Sequence, residues 1–387
     1  MRGLYFAAAA MMAGVSSVFA LLAELEHRYA LGPGSLGWIA GTAFLAALCV
    51  QLTLARYADR GYCMLLLRVG LGLSVVGLLW FAAATELWQF IIARAMLGAS
   101  VGIVVPAARR AIVVTAGVDL GRRLGTFYAA YLSGFVFGPP LAGLLTTIAD
   151  VRLPFVVLGL VVALSATSLR GLRVDEPLGE DEPQQPRSGV LRRLLRSRTM
   201  IAALLVVMAF RYSVGAFEPM WAVFFDDLGA STMLITISMT LFALPMLVVA
   251  RWAGGVTDRN GARFVSMSAA AITAPAMMSY GVIGVIWIII LISILHGIME
   301  ALLNPGSQVA IAEAAPKRDT ASAQGLAEAA GSLAAGVGAF AAAPSLAAWG
   351  AEWAWAAAGA VMALLLAISY VLDPPRRTRT TAAARSA

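Results

Sequence analysis

The chain has 387 residues, of which 60% are hydrophobic and only 13% are charged, and its mean hydropathy is +0.84. A soluble domain is about 45–50% apolar and about 25% charged, so this composition excludes a soluble enzyme, a disulfide-stabilised secreted scaffold and a disordered chain. The net charge of +7 comes from arginines in short clusters between long apolar runs, which is typical of membrane topology rather than of nucleic-acid binding. We therefore expect a membrane protein with no nucleic-acid partner.

Six apolar segments in the first half are long enough to cross a bilayer, since about 20 helical residues span the hydrocarbon core. These six predicted spans are residues 4–25, 36–56, 64–84, 88–108, 124–146 and 154–170. An alternative stays open at the start of the chain. Residues 1–20 combine a basic residue, an apolar stretch and small residues, as a cleaved signal peptide would, and cleavage would leave eleven spans.

The second half repeats this arrangement. Its six predicted spans are residues 199–221, 231–252, 264–282, 284–304, 324–344 and 353–372. Between the halves, residues 171–198 are rich in Pro, Glu and Arg without apolar periodicity, which predicts a solvated linker. The predicted fold is all-α and integral to the membrane, with twelve transmembrane helices in two six-helix bundles. Its parts are bundle 1–170, linker 171–198, bundle 199–373 and basic tail 374–387.

Charge alternates between successive loops. One set of loops carries most of the arginines, and the other set holds mainly Glu26, Glu86, Asp150, Asp226 and Glu352. Because positively charged loops remain in the cytoplasm, the pattern predicts that both termini are cytoplasmic. We call the two ends of the predicted bundle the basic end and the acidic end.

The two halves also share residues at a constant offset. The pairs 199 residues apart are Asp59 and Asp258, Gly98 and Gly297, and Pro106 and Pro305, and the pairs 200 apart are Gly125 and Gly325, and Gly138 and Gly338. Agreement between separate regions on one offset indicates internal duplication. Duplicated bundles with a site between them at mid-membrane are a known transporter plan.

Conspicuous motifs lie in the loops after spans two and eight. The pattern G-x-x-x-D-R-x-G-x-R occurs after span eight, as Gly254, Asp258, Arg259, Gly261 and Arg263. The copy after span two keeps Asp59, Arg60 and Gly61, but it begins with Ala55 in place of glycine and lacks the closing basic residue.

Two further patterns lie within spans. Span four contains Arg94-x-x-x-Gly98-x-x-x-Gly102, and span five contains Gly134-x-x-x-Gly138-Pro139-x-x-x-Gly143. With the loop motif, they give a chain that resembles the Major Facilitator Superfamily over essentially its whole length. The span-five pattern resembles the motif of the family's drug/proton antiporters. The resemblance implies that the loop motif is a latch between access states, and that the span-five glycines form a sealed helix interface.

Ionisable side chains inside the spans are the main functional candidates, because charge within a bilayer is costly. They are Arg94 in span four, Arg211 and Glu218 in span seven, and His296 and Glu300 in span ten. By resemblance, spans one, four, seven and ten line the central cavity. Glu218 and Glu300 are the candidate proton carriers. Static pairing remains the alternative for Arg94, Arg211 and Glu300. A position near the outer surface is the alternative for Glu218, and a packed, hydrogen-bonded histidine is the alternative for His296.

The predicted function is proton-coupled export of lipophilic or cationic small molecules by alternating access, in the plasma (inner) membrane. The alternative is uptake or exchange of a polar or anionic metabolite, which Arg94 and Arg211 would favour. We expect no enzyme activity, cofactor or metal, since the sequence shows no nucleophile–base set or ligand cluster. The expected partners are the substrate, protons and the lipid bilayer, and the chain is expected to be monomeric.

Overall fold

The structure, a computed structural model, describes residues 1–32, 34–54, 57, 61–115, 120–169, 171–172, 174, 187–316 and 319–374. The described residues form helices and no strand. In chain order the helices are α1 (Arg2–Ala20), α2 (Leu22–Tyr29), α3 (Ser35–Thr53), α4 (Cys63–Ala83), α5 (Leu87–Thr115), α6 (Leu120–Ile148), α7 (Leu153–Thr167), α8 (Arg187–Leu194), α9 (Arg198–Asp227), α10 (Thr232–Asn260), α11 (Ala262–Ser279), α12 (Ile286–Ala314) and α13 (Thr320–Leu372).

These helices account for all twelve predicted spans. Nine described helices are long and apolar enough to cross a membrane. The 53-residue α13 supplies two spans, because Gly350, with φ 77°, breaks its helical path. The shorter apolar helix α7 and the 18-residue α11 complete the set. The prediction of an all-α, multi-pass membrane fold is confirmed.

Small residues set the packing inside each half. We call α1–α7 the first bundle and α9–α13 the second bundle. In the first, α1 packs along α6; in the second, α9 packs along α13 and α10 along α12. Gly98 brings α5 against the backbone of Ala43, and Gly297 brings α12 against the carbonyl of Phe242, so an added Cβ would clash at either position. These glycines are the repeat-related pair, and the same close approach explains both.

Two helix pairs make the most extensive contacts between the bundles: α3 with α13, and α6 with α10. The contacts lie in the half of each helix nearest the acidic end. Gly37 at the start of α3 approaches Ala339 and Phe340, and Gly143 near the end of α6 approaches Thr236. The acidic end is therefore closed in this structure.

The linker contains one helix that the sequence does not predict. α8 covers Arg187–Leu194, within the segment predicted to lack periodicity. Its Val190 and Leu194 are buried against α9, α12 and α13, while Arg193 forms a bidentate pair with the buried Asp319, with contacts of 3.0 and 3.1 Å. The expectation of a wholly solvated segment is wrong for α8. Residues 175–186 and the tail from 375 lie outside the described residues.

Candidate translocation site

Arg94 is buried in the first bundle near the acidic end. Its helix, α5, carries it to within 4.0 Å of the Phe19 ring, measured from the guanidinium carbon to the ring centroid. One guanidinium nitrogen donates to the carbonyl oxygen of Val15 at 3.1 Å. Only 1% of the residue is exposed, so the guanidinium is desolvated and held by a π face and a backbone dipole.

Glu218 is the buried carboxylate on the facing side. It lies on α9 just before Pro219 and is 7% exposed. Three charged residues are close enough to interact with it electrostatically: Arg94, Arg211 and Glu300. Because α5 and α9 belong to different bundles, Arg94 and Glu218 form an electrostatic contact between them.

Arg211 lies near the middle of α9, at the junction of the bundles. Its side chain packs on Gly331 of α13, and its guanidinium carbon is 6.0 Å from the ring centroid of Phe44 on α3. Tyr128 and Tyr131 of α6 are within electrostatic range. Arg211 is only half-buried and Tyr128 is 38% exposed, so these side chains are partly accessible, and we call the space beside them the recess.

His296 and Glu300 form a linear group with Tyr280, a residue that sequence reasoning missed. The Tyr280 hydroxyl is 2.9 Å from His296 Nδ1. His296 Nε2 is 3.2 Å from Glu300 Oε1, one helical turn further along α12. The order Tyr280, His296, Glu300 runs from the acidic end toward mid-membrane, because Glu300 lies at the midpoint of α12.

An aromatic cluster surrounds His296 inside the second bundle. Phe217 stacks on Trp221 and Phe242, with ring centroids 4.5 and 4.6 Å apart, and meets His296 edge-on at 6.0 Å. The histidine is thus packed among rings and contacts Tyr280 through Nδ1, while its Nε2 faces Glu300. The sequence signal that could have found the cluster is Phe217 and Trp221 at i and i+4 on α9.

All five ionisable residues predicted for the site have one feature in common. Each has a buried polar atom with no hydrogen-bond partner among the described residues: Arg94 Nε, Arg211 Nε, Glu218 Oε2, His296 Nε2 and Glu300 Oε2. The 3.2 Å approach of His296 to Glu300 is close enough for an ion pair but lacks hydrogen-bond geometry. Since unpaired buried polar groups are rare in proteins, these atoms mark a place where a ligand or a proton could bind.

Only part of the loop motif lies within the residues that the structure describes. Asp59 and Arg60 lie outside the described residues, whereas Gly61 has φ +86° and Gly261 has φ +91°, as a tight turn between helices requires. Asp258 and Arg259 are exposed, and neither bonds to a residue that the structure describes.

Arg263 closes the motif from within the second bundle. It donates to the carbonyl oxygens of Ser369 and Asp373, at the end of α13. Ser369 in turn donates to the Ala202 carbonyl of α9 at 2.7 Å. In this conformation Arg263 ties α11, α13 and α9 together and makes no contact with the first bundle in the described chain. A latch that forms in one access state and breaks in the other stays a prediction. Gly254 is exposed on α10 and approaches no neighbour among the described residues.

The span-five glycines face two different partners. Gly134 and Gly138 lie against the α1 backbone at Ala9 and Ala13, so they seal an interface within the first bundle. Gly143 meets Thr236 of α10 and belongs to the contact between bundles. Pro139 and Pro140 lie inside α6 and remove two backbone donors from its middle.

Both the geometry of the site and the similarity of the chain to known proteins point to the same class of protein. Buried charges at membrane depth between two helical bundles are typical of membrane transport proteins. The family model described as Major Facilitator Superfamily matches residues 4–224 and 204–387. The chain belongs to this family, and the expectation of a transporter fold rather than an enzyme is confirmed.

Curated relatives match only part of the chain. An uncharacterized MFS-type transporter, YuxJ, of Bacillus subtilis (strain 168) is 24% identical over 59% of this chain and 59% of its own length. Multidrug resistance protein MdtG of Enterobacter lignolyticus (strain SCF1) is 26% identical over 65% of this chain and 61% of its own. The chain thus spans about three-fifths of the length of these relatives.

Solved structures agree on the fold over nearly the whole chain. A bacterial homologue of the human lysosomal transporter Spinster has a TM-score of 0.81 at 13% identity, covering 96% of this chain and 95% of its own. The nucleoside transporter NupG has a TM-score of 0.76 at 12% identity, covering 97% of this chain and 99% of its own.

Proposed function

We propose that this protein is a proton-coupled secondary transporter of the plasma (inner) membrane that exports lipophilic or cationic small molecules by alternating access. The observation that carries the proposal is the pair of buried carboxylates, Glu218 and Glu300, each with an oxygen that has no partner in the described chain. One lies at the junction of the bundles, and the other lies at mid-membrane.

Coupling follows from the cost of burying charge. A carboxyl group buried away from water is stable either when it is protonated or when its charged form faces a cation. Holding a proton and facing a cation at the same time is seldom favourable. A cationic substrate approaching Glu218 would therefore displace its proton. Arg94 and Arg211 both lie within electrostatic range of Glu218, and their positive charge favours its charged form.

The Tyr280–His296–Glu300 group provides a path for the proton. The Tyr280 hydroxyl can pass its proton to His296 Nδ1 and regain one from the acidic side, while the imidazole turns to align its Nε2–H with Glu300 Oε1, 3.2 Å away, and releases that proton to it. The imidazole begins and ends neutral, and Glu300 gains the proton. The Tyr280 hydroxyl orients the ring through its 2.9 Å contact. The path runs inside the second bundle, away from the recess at Arg211.

The substrate class rests on the lining of the recess and on the relatives. Phe44, Tyr128 and Tyr131 offer aromatic faces beside Arg211, and amide side chains are few there, Asn304 being the one that bonds to Tyr128. Several matched relatives are named multidrug resistance proteins. An apolar, aromatic recess with few polar groups suits lipophilic molecules better than sugars.

Exchange of an anionic metabolite is the second candidate. The half-buried Arg211, with Nε unpaired in the described chain, favours it, because a planar guanidinium binds carboxylates in bidentate fashion. Organic acids would then drive proton movement, and Arg211→Ala would abolish that response.

The test is proton flux in proteoliposomes with an entrapped pH-sensitive dye. Addition of a lipophilic cation should dissipate an imposed proton gradient, and Glu218→Gln or Glu300→Gln should remove the response. The matched control is Glu86→Gln, because Glu86 is exposed at the acidic end and bonds to Trp88. Equal flux in the Glu218→Gln, Glu300→Gln and wild-type proteins would overturn proton coupling through these residues.

A further inference from the structure

The strongest unassigned feature is the outer surface of α8, the helix that precedes α9. Helical geometry places Val190 and Leu194 on one face and Leu191 and Leu195 about 100° around the axis from them. The first pair is buried, whereas Leu191 and Leu195 are 43% and 45% exposed. α8 therefore has two apolar faces, and only one is covered by the described protein.

The exposed leucines lie beside exposed arginines. Arg192 and Arg196 are one position further along the chain than the leucines, so they form the adjoining face. Leu195 continues the helical bonding of α8, its amide donating to the Leu191 carbonyl at 3.0 Å. No acidic side chain accompanies these residues between positions 187 and 198.

The position of α8 is fixed by its docked face. The Arg193–Asp319 pair holds it to the start of α13, and Leu194 packs with Met200 at the start of α9. Only residues 195–197 separate α8 from α9, a helix apolar enough to cross the membrane. The free face of α8 is therefore held where a transmembrane helix enters the bilayer at the basic end.

We propose that the free face of α8 is an interfacial binding surface for anionic phospholipid. Leu191 and Leu195 would insert at the boundary of headgroups and acyl chains, and Arg192 and Arg196 would bind the phosphates. Short basic helices with exposed leucines bind membrane surfaces in this way, because apolar burial and attraction to anionic lipid act together. The docked Arg193 then couples that lipid contact to the second bundle.

The test places an environment-sensitive fluorophore at Leu191→Cys in a Cys49→Ser, Cys63→Ala background. The protein is reconstituted into vesicles of phosphatidylglycerol and phosphatidylcholine that carry a quencher at a shallow acyl position. The matched control is the same label at Glu313→Cys, an exposed position at the basic end of α12. We expect blue-shifted, quenched emission at position 191 and neither effect at position 313. Equal exposure to water at both positions would overturn the proposal, as would a label shielded from both water and lipid, which would indicate a protein partner.

Headgroup charge is tested in the same assay. Replacing phosphatidylglycerol by phosphatidylcholine, or combining Arg192→Gln with Arg196→Gln, should weaken quenching at position 191. The expected loss of lipid association is about fivefold for each arginine, equivalent to about 1 kcal/mol. Arg192→Lys with Arg196→Lys should retain most of it. Identical quenching in both lipids and all variants would contradict the requirement for anionic lipid.

Discussion

At the scale of single residues, the main energetic question is how Arg94 and Glu218, two opposite charges, are stabilised in a site buried away from water. Arg94 has a π face and one carbonyl as partners, and Glu218 Oε2 has no hydrogen-bond partner among the described residues. Their interaction is electrostatic and crosses the bundle junction, so each residue lowers the cost of burying the other.

This arrangement predicts that the effects of substitutions at Arg94 and Glu218 on stability are not additive. Arg94→Gln should lower the thermal unfolding temperature in detergent, because Glu218 loses an electrostatic partner and the contacts to Val15 and Phe19 are lost. Adding Glu218→Gln should then cost less than it does in the wild type, with a coupling of about 1 kcal/mol or more. Arg28→Gln, which breaks an exposed pair with Asp150, is the control and should have little effect. Strict additivity would show that Arg94 and Glu218 do not interact.

Sequence reasoning found the ionisable residues but not their surroundings. Charge in an apolar span is visible in the sequence, because its cost does not depend on the neighbours. Tyr280 was missed because a lone tyrosine in an apolar segment has no such cost. Its contact with His296 arises only when α12 packs beside the short turn at Tyr280–Val282. Aromatic packing between helices is a tertiary property, and periodicity along one helix does not reveal it.

At the scale of elements, proline positions decide which backbone groups are free for contacts between bundles. Pro140 has no N–H, so the Val136 carbonyl in α6 loses its ordinary helical partner. Thr240 of α10 donates to that carbonyl at 3.0 Å. The hydroxyl comes from the second bundle and the carbonyl from the first. The backbone acceptor that Pro140 leaves free in α6 therefore forms a hydrogen bond between the bundles.

Thr240→Val should therefore favour opening at the acidic end. Valine keeps the shape but leaves the Val136 carbonyl unsatisfied, which costs about 1 kcal/mol and shifts the closed-to-open ratio roughly fivefold. Spin labels at Glu86→Cys and Glu352→Cys, on opposite bundles at the acidic end, would report the change as a longer distance population. Thr240→Ser keeps the hydroxyl and should resemble the wild type. An unchanged distribution in Thr240→Val would mean that this bond does not stabilise closure.

Element boundaries show where local sequence suffices and where it does not. Most of the predicted spans correspond to described helices that are long and apolar enough to cross a membrane, whereas α7 and α11 do not reach that standard. α8 was missed because its apolar residues occur as two adjacent pairs, Val190 with Leu191 and Leu194 with Leu195, within an arginine-rich segment. Such a helix forms through docking on the second bundle, and its own amphipathic pattern is too short to predict it.

At the scale of the whole molecule, the internal repeat explains which residues meet across the junction. Two bundles related by an approximate two-fold axis bring equivalent residues together only near that axis. His27 and Asp226 are 199 residues apart, which is the offset of the repeat, and they form an ion pair at 2.6 Å. Glu24 supports the same contact by accepting a hydrogen bond from Thr232 at 3.2 Å. The acidic end is thus held on the axis by repeat-related residues.

This ion pair predicts that closure of the acidic end depends on pH. His27 lies in α2, beyond the apolar part of α1, and its hydrogen bond to Asp226 raises its pKa above the ordinary value of about 6.5, with smaller contributions from Glu26 and Glu24. Because the pKa is raised in the closed state, the stabilisation is fully present below about pH 6.5. It is lost as pH rises through the raised pKa. The labels at positions 86 and 352 should therefore report more open molecules at pH 9 than at pH 5.

The sequence offers a simple control for this pH dependence, since the chain contains only two histidines and the other, His296, is buried in the aromatic cluster. His27→Gln should make the acidic end more open at pH 5 and leave little change between pH 5 and pH 9. Asp226→Asn should do the same, because it removes the partner that raises the pKa of His27. High salt should reduce the effect in the wild type, since the pair is largely exposed. If instead the pH response survives in His27→Gln, closure is controlled by another titratable group, and the His27–Asp226 pair is only a structural contact.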